Sequence, residues 1–426
     1  MEILIIIVFL IGYLMITLEH PLKIDKAAPA LLLGVITWAI FALMSPDYHA
    51  VNHELEHHLP EIINILFFLM GAMTIVELID IHDGFHAITS RIKTKNKRKL
   101  LWIICFLTFF MSAALDNLTT AIVMASLIRK LIQYKQVRLV FAGMVVIAAN
   151  AGGAWSPIGD VTTTMLWIGG QISVIHIIVW LIIPSLVCMM IPLLFLSTKM
   201  KGDFHRMEMN VTYKTTPKER LLVLFAGVAC LIFVPIFKTV THLPPFMGMF
   251  FGVGVMWTLT ELLHKQKTHE EKSQYSVLKA LSKIDTASVL FFFGILSGVA
   301  CLSSIGVLKH VATFLNDTIG NMDLTVMVIG VLSSVVDNVP LVAASMKMYP
   351  IAETGIFAMD GKVWTFLAYC AGTGGSMLII GSAAGVAIMG IEKIEFFWYM
   401  KKMGMLALMG YIAGALTYLA MFAMIG

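Results

Sequence analysis

Apolar runs close to the length that crosses a lipid bilayer recur along the whole of this sequence. A transmembrane helix needs about 20 predominantly apolar residues. Only 13% of the 426 residues are charged, about half the share usual in a soluble domain. The pattern therefore predicts an all-α integral membrane protein. Ten spans are predicted, at about 3–18, 27–44, 61–81, 139–169, 172–197, 220–238, 246–263, 287–306, 363–391 and 403–425.

Two further apolar stretches, 100–128 and 323–348, are interrupted midway by polar residues. If each is a re-entrant hairpin that leaves the membrane on the side it entered, 26 of the 30 Lys and Arg residues lie on one side and 4 on the other. Positive charge concentrates on the cytoplasmic side of membrane proteins. This reading predicts a multi-pass protein of a bacterial-type inner membrane, with both termini outside.

The two halves of the chain resemble each other at an offset of about 222 residues. Five spans and one hairpin per half, entering the membrane from opposite sides, form an inverted-topology repeat, an architecture of secondary transporters. The predicted units are a first repeat at 1–198, a cytoplasmic linker at 199–219 and a second repeat at 220–426. The hairpins and the broken spans 139–169 and 363–391 form the predicted transport region. The matching landmarks are 66–71 with 289–294, Asp116-Asn117 with Asp337-Asn338, and Gly152, Gly153 and Gly159 with Gly374, Gly375 and Gly381.

Four irregular segments are predicted at membrane depth: the hairpin tips 112–120 and 333–340, and the breaks 150–160 and 372–382. Irregular backbone is tolerated there only around a buried or wet site. Glycine and proline end helices at these points and expose backbone groups to a ligand. Aspartate and asparagine also cap the half-helix that follows, so helix capping is the simplest alternative explanation of the tip aspartates.

Capping does not need a charge, and a carboxylate at the centre of a membrane helix costs about 2.5–3.5 kcal/mol. No basic residue lies in the four segments, which favours a cation as the substrate over an anion. Glu77, near the inner end of its span, is a further possible proton carrier or a solvated side chain. The candidate cation- and proton-binding residues are Asp116, Asn117, Thr119, Thr120, Asn150, Ser156, Gly159, Asp160, Asp337, Asn338, Thr373 and Ser382.

The tips Asp116-Asn117-Leu118-Thr119 and Asp337-Asn338-Val339-Pro340, with the sequence GGAWSPIGD at 152–160, resemble those of NhaD-type sodium/proton antiporters of the ion transporter superfamily. The resemblance covers essentially the whole chain. It implies exchange of Na⁺ or Li⁺ for H⁺ in pH homeostasis, without a cofactor. It also implies a homodimer with a scaffold domain and a mobile, elevator-like transport domain. In related sodium/dicarboxylate carriers the tips read Ser-Asn-Thr, so the aspartates here argue against a carboxylate substrate.

Other functions remain as alternatives. A sodium- or proton-coupled anion carrier of the same superfamily is the main competitor, and a channel is less compatible with a repeat that suits alternating access. Residues 53–57 match the zinc-protease pattern H-E-x-x-H, but they fall in a predicted outer loop without a third ligand, so no zinc site and no enzyme are expected. The basic run 91–99 is interpreted as a cytoplasmic anchor, not a nucleic-acid site.

Overall fold

The computed structural model describes residues 1–89, 92, 94–203 and 215–425, and within them the chain is helical, with no β-strand. The helices of the first half are α1 (Glu2–Thr17), α2 (Glu19–Leu22), α3 (Ala27–Met44), α4 (Tyr48–Ile81), α5 (Gly84–Thr89), α6 (Lys97–Leu115), α7 (Asn117–Leu131), α8 (Lys135–Ala154), α9 (Val161–Ile168) and α10 (Val174–Lys199). Most of the predicted linker 199–219 lies outside the described residues.

The second half is also helical in its described residues. Its helices are α11 (Pro217–Thr241), α12 (Pro245–Leu263), α13 (His269–Ser273), α14 (Val277–Leu281), α15 (Thr286–Ser304), α16 (Val307–Ile319), α17 (Met322–Leu332), α18 (Asn338–Met348), α19 (Lys362–Gly374), α20 (Ala383–Glu392), α21 (Phe396–Tyr399), a π-helical turn (Met400–Gly404) and α22 (Met405–Ile425). Helices α9 and α20 begin 222 residues apart, at Val161 and Ala383. That the halves are inverted across the membrane stays a prediction.

Nine helices among the described residues are long and apolar enough to cross a membrane, which confirms a multi-pass membrane protein. The predicted spans 139–169 and 363–391 are each two helices, α8 with α9 and α19 with α20. Helix α6, at 19 residues, is itself long enough to cross. The re-entrant geometry of 100–128 and 323–348 therefore stays a prediction.

The prediction that the H-E-x-x-H pattern lies in a loop is wrong. Residues 53–57 lie inside α4, a continuous helix of 34 residues that runs through Pro60. The Asp47 side chain starts this helix by accepting hydrogen bonds from the amides of His49 and Ala50. At 1.5 Å per residue, the helix is about 50 Å long and exceeds the hydrocarbon core by roughly 20 Å. The His-rich stretch is thus a helical extension beyond the apolar span.

The long helices pack in two groups, and each group contains two pairs of helices that the predicted repeat relates to each other. The first group holds α1, α3, α4, α11, α12 and α15; its pair α3–α15 matches α12–α4. The second group holds α6–α10, α17–α20 and α22; its pair α6–α8 matches α17–α19. Contacts between the groups include α15 with α18 and α4 with α9.

Two glycines allow α8 to pack closely on α6 and α19 to pack closely on α17. A Cβ atom added at Gly152 of α8 would overlap the Phe109 carbonyl oxygen of α6, and one added at Gly374 of α19 would overlap the Gly330 carbonyl oxygen of α17. Both obstacles are backbone atoms inside helices, which cannot swing aside. These positions therefore hold the broken helices against the helices that lead to the tips.

Candidate functional site

Three of the four predicted segments meet around the side chain of Asn150 on α8: the tip 112–120 and both breaks. Its Oδ1 accepts a hydrogen bond from Asn117 Nδ2 at 3.1 Å, and its Nδ2 donates to Ser382 Oγ at 2.9 Å and to Ser376 Oγ at 3.0 Å. Asn150 is fully buried. The irregular segments of both halves are thus joined by one amide.

The carboxylate of Asp160 lies at the second junction, where α9 begins. Its Oδ2 accepts from Asn117 Nδ2 at 2.5 Å, and its Oδ1 accepts from Asn338 Nδ2 at 3.4 Å. The same Oδ1 caps α9 by accepting from the amide and hydroxyl of Thr162. Asp160 is 2% exposed. Asparagines from both tips therefore converge on one buried carboxylate.

Asp116 is the one residue between α6 and α7, and its backbone has φ 91° and ψ 160°. This region is adopted almost only by glycine, and other residues there pay a strain cost. Its carboxylate caps α7, accepting from the amide of Thr119 at 2.7 Å and from the Thr119 hydroxyl at 2.9 Å. The carboxylate stands at the positive end of the helix, and the strained backbone fixes where it points.

Asp337 caps α18 through the amide of Val339 at 3.1 Å. Its other carboxylate oxygen, Oδ2, accepts from Lys26 Nζ at 2.8 Å. Lys26 directly precedes α3, 311 residues away in sequence. No basic residue lies within the four segments, but a lysine from a distant part of the chain neutralises Asp337.

The remaining predicted residues have different surroundings. Thr120 is buried, and its hydroxyl makes no hydrogen bond within the part of the chain that is described. The Ser156 hydroxyl donates to the Ala113 carbonyl and ties the break to α6, while the Thr373 hydroxyl donates to its own helix. A Cβ at Gly159 would press on Gly153 and Ser112, so this glycine permits close packing.

One cavity collects the three carboxylates. It is lined by Asp116, Asp160 and Asp337, by the two tip asparagines, and by apolar residues of α4 and α15 such as Phe68 and Phe292. The polar end of this cavity is formed by the tips, and it faces an apolar wall that the first group of helices contributes.

A second cavity adjoins the first and shares Lys26, Met73, Leu118, Ser288 and Ala383 with it. It lies between α4 and α7, and its lining includes residues of 19–26 and 264–286, two segments that the hairpin topology places on the cytoplasmic side. We call it the acidic cavity, because its charged lining residues are Glu19, Asp25, Glu77, Asp80, Asp285, Lys26 and Lys283.

Glu77 belongs to this acidic cavity and not to the junction around Asn150. Its carboxylate pairs with Lys283 Nζ at 2.9 Å, and its side chain is 22% exposed. An acidic lining concentrates cations near the mouth of a site. Glu77 thus lines the acidic cavity as a partly exposed, paired carboxylate.

Three residues of the junction were missed by reasoning from the sequence: Lys26, Thr162 and Ser376. Ser376 lies within the predicted break 372–382, and Thr162 lies two residues beyond the break 150–160, so the polar character of these segments was the available signal. Lys26 had only a weak signal, a lysine directly before an apolar span. Among the described residues, no three His, Cys, Asp or Glu side chains form a group that could hold a metal ion through those side chains alone.

The chain is similar to several known proteins along most of its length. A family model described as citrate transporter matches residues 4–364. Sodium/proton antiporter 1 of Arabidopsis thaliana is 46% identical over 97% of this chain and 71% of its own length. Sodium/proton antiporter 2 of the same plant is 44% identical over 97% and 98%. The Na(+)/H(+) antiporter NhaD of Vibrio cholerae serotype O1 is 32% identical over 97% and 90%.

Proposed function

Because the chain belongs to the citrate transporter (CitMHS) family and is related over nearly its whole length to NhaD-type antiporters, we propose that it exchanges Na⁺ for H⁺ across a membrane. The observation that carries the proposal is the convergence of Asp116, Asp160 and Asp337 on one cavity at the helix breaks. Carboxylate and carbonyl oxygens are the ligands that hard cations prefer. Li⁺ is the second cation that we expect the site to accept.

In the proposed mechanism, sodium and proton compete for the same carboxylates. Asp160 accepts from Asn117 and Asn338 in the state described here, and rotation of either amide would present its oxygen to a cation instead. Protonation of the carboxylates removes the charge that attracts Na⁺. A site loaded with one or the other avoids carrying bare carboxylates through hydrocarbon, which is costly.

A difference between the two halves supports the proposal that ions reach the site from one side of the membrane at a time. Helix α18 packs against α15, but their counterparts α7 and α4 are opposite walls of the acidic cavity. We propose that this is a state open to the cytoplasm. The opposite state would close α7 on α4 and open α18 from α15, by an elevator-like movement of the second group of helices.

We infer that the protein lies in a bacterial inner membrane with both termini outside and acts as a homodimer. The 26 to 4 distribution of basic residues supports the orientation under the hairpin topology. The charges of the acidic cavity support delivery of cations from the cytoplasmic side.

A pH-gradient assay in inside-out vesicles tests the function. We expect the acid interior to become less acidic when NaCl or LiCl is added, with choline chloride as the ionic control. Citrate is the second probe, because the family description names a citrate transporter. No response to Na⁺ or Li⁺, together with uptake of citrate, would replace the antiporter by an anion carrier.

A further inference from the structure

Lys26 occupies the boundary between the two cavities. It lines both the cavity of the three aspartates and the acidic cavity. Its Nζ atom is 2.8 Å from Asp337 Oδ2 and 4.3 Å from the centre of the Phe291 ring. The side chain is 20% exposed, and that of Asp337 is 13% exposed. The pair is therefore largely shielded from water, where an ion pair is stronger than on a surface.

The pair also joins the two groups of helices. Lys26 precedes α3 and lies over a ring of α15, both in the first group, whereas Asp337 caps α18 in the second. Because Asp337 Oδ1 already accepts from the Val339 amide, a sodium ion that binds Asp337 competes with the ammonium for Oδ2. Loading of the site and release of this contact between the groups are thus a single event.

We propose that Lys26 is an internal counter-cation, which neutralises Asp337 when no sodium is bound and is displaced when sodium arrives. The inference deepens the proposed exchange function and rests on it. Lys26 acts as a positioning and specificity-determining residue: it sets the sodium concentration needed to fill the site. It also ties α18 to α3 until the site is filled.

The displaced ammonium has acceptors nearby. Glu19, Asp25 and Asp285 line the acidic cavity into which the long side chain of Lys26 can swing. A lysine side chain has a flexible four-carbon stem and a compact charge, so it can exchange one carboxylate for another without movement of the backbone. The lysine keeps its proton throughout and carries no part of the transported charge.

The test compares Lys26→Gln, Lys26→Arg and a matched control, Lys362→Gln. Lys362 pairs with Asp323 at 2.6 Å and has the same 20% exposure as Lys26, but both partners belong to the second group, on α19 and α17. Two readouts are measured: the half-maximal Na⁺ concentration for antiport at a fixed alkaline pH, and that for thermal stabilisation of the purified protein by NaCl.

Loss of the competing charge should lower both half-maximal concentrations by about tenfold in Lys26→Gln. Lys26→Arg, which keeps the charge, and the Lys362→Gln control should stay within about twofold of the unchanged chain. A purely structural role would weaken sodium binding instead. Unchanged or raised values in Lys26→Gln, or an equal effect of Lys362→Gln, would overturn the inference while antiport persists.

Absence of any Na⁺ response in the unchanged chain, in both readouts, is a different result. It would remove the proposed function and this inference together.

A second variant distinguishes displacement of the Lys26 ammonium by sodium from a general effect of contacts between the two groups of helices. Lys347 of α18 pairs with Glu61 of α4, so this pair also joins the groups, but neither residue lines the cavity of the aspartates. Lys347→Gln is expected to change the transport rate more than the half-maximal Na⁺ concentration. A drop in that concentration as large as that in Lys26→Gln would contradict competition for Asp337.

Discussion

Asn150 joins the two halves of the chain, and its contribution can be measured. Its amide bonds Asn117 of the first half and Ser376 and Ser382 of the second. In Asn150→Ala these buried partners lose their hydrogen bonds, which costs about 1–3 kcal/mol for an unsatisfied buried group. We expect a lower thermal midpoint in detergent and strongly reduced antiport.

The exposed Asn316 is a suitable comparison for Asn150. Its Oδ1 accepts one hydrogen bond, from the Tyr349 hydroxyl at 3.2 Å. Asn316→Ala should change the thermal midpoint little. Equal midpoints for the two alanine variants would show that Asn150 does not hold the halves together.

A pair of buried histidines predicts a pH dependence of stability. His82 Nδ1 donates to the Leu78 carbonyl, so its Nε2 accepts from His264 Nε2 at 2.9 Å. Burial, with smaller effects of Lys267 and His82, lowers the pKa of His264 from 6.5 to about 4. The unfolded chain therefore binds more protons between these values, and stability falls as the pH falls from about 6.5 to about 4.

Thermal unfolding across this pH range checks the histidine prediction. The decrease in thermal midpoint should be smaller in His264→Gln, which has no proton to gain at that position. A pH dependence identical to that of the unchanged chain would assign the effect to other groups.

At the scale of elements, the approach of the broken helices to their neighbours depends on glycine. Gly374→Ala would drive a methyl group into the Gly330 backbone of α17, and overpacking of this kind costs typically 1–3 kcal/mol. Gly390 of α20 has open space around it and is the control. Gly390→Ala should raise stability by up to about 1 kcal/mol through helix propensity.

Thermal midpoints and antiport rates are measured for both Gly374→Ala and Gly390→Ala. Gly374→Ala is expected to lower both quantities, because the shift would move Asn150's partners on the following break. If Gly374→Ala proved as stable and active as Gly390→Ala, the close packing of α17 and α19 would not matter for the site.

The sequence was sufficient to predict the helix breaks and their caps. Asp116, Asp160 and Asp337 each cap the helix that follows, as the local chemistry of aspartate before a half-helix indicates. The breaks themselves are shorter than predicted: α8 continues through Gly153 to Ala154, and α19 reaches Gly374. The sequence pattern predicts that these glycines end the helices. In the structure they lie inside the helices, where they permit close packing.

Contacts between distant parts of the chain were not predictable in the same way. The Lys26–Asp337 pair depends on how α3 and α18 pack, and no local pattern encodes that. The error at residues 53–57 has a local cause: a proline usually marks a helix boundary, but α4 starts at the Asp47 cap and continues through Pro60. Local sequence signals thus predict the helix breaks, whereas contacts between distant helices depend on tertiary packing.

At the scale of the whole molecule, the difference between the halves predicts one-sided access. Ile122 of α7 lines the acidic cavity, and Ala343 lies 221 residues further, in α18, where it is 5% exposed. In Na⁺-free vesicles, Ile122→Cys should react quickly with an impermeant maleimide from the cytoplasmic side, and Ala343→Cys slowly from either side. The five natural cysteines are buried, so the unchanged chain gives the background.

Faster labelling of Ala343→Cys than of Ile122→Cys under these conditions would contradict a state open to the cytoplasm. Labelling of Ile122→Cys from the outside only would reverse the predicted orientation of the chain in the membrane.

Sodium uptake driven by a pH gradient in proteoliposomes tests the proposed exchange most directly. With an acid interior, we expect the unchanged chain to accumulate radioactive sodium. Asp116→Asn and Asp160→Asn, which remove site carboxylates while keeping their shape, should reduce uptake to the level of protein-free liposomes. Asp323→Asn, whose carboxylate pairs with Lys362 outside the site, should retain most of it. Near-normal uptake in both site variants would contradict the central claim that these carboxylates bind the transported cation.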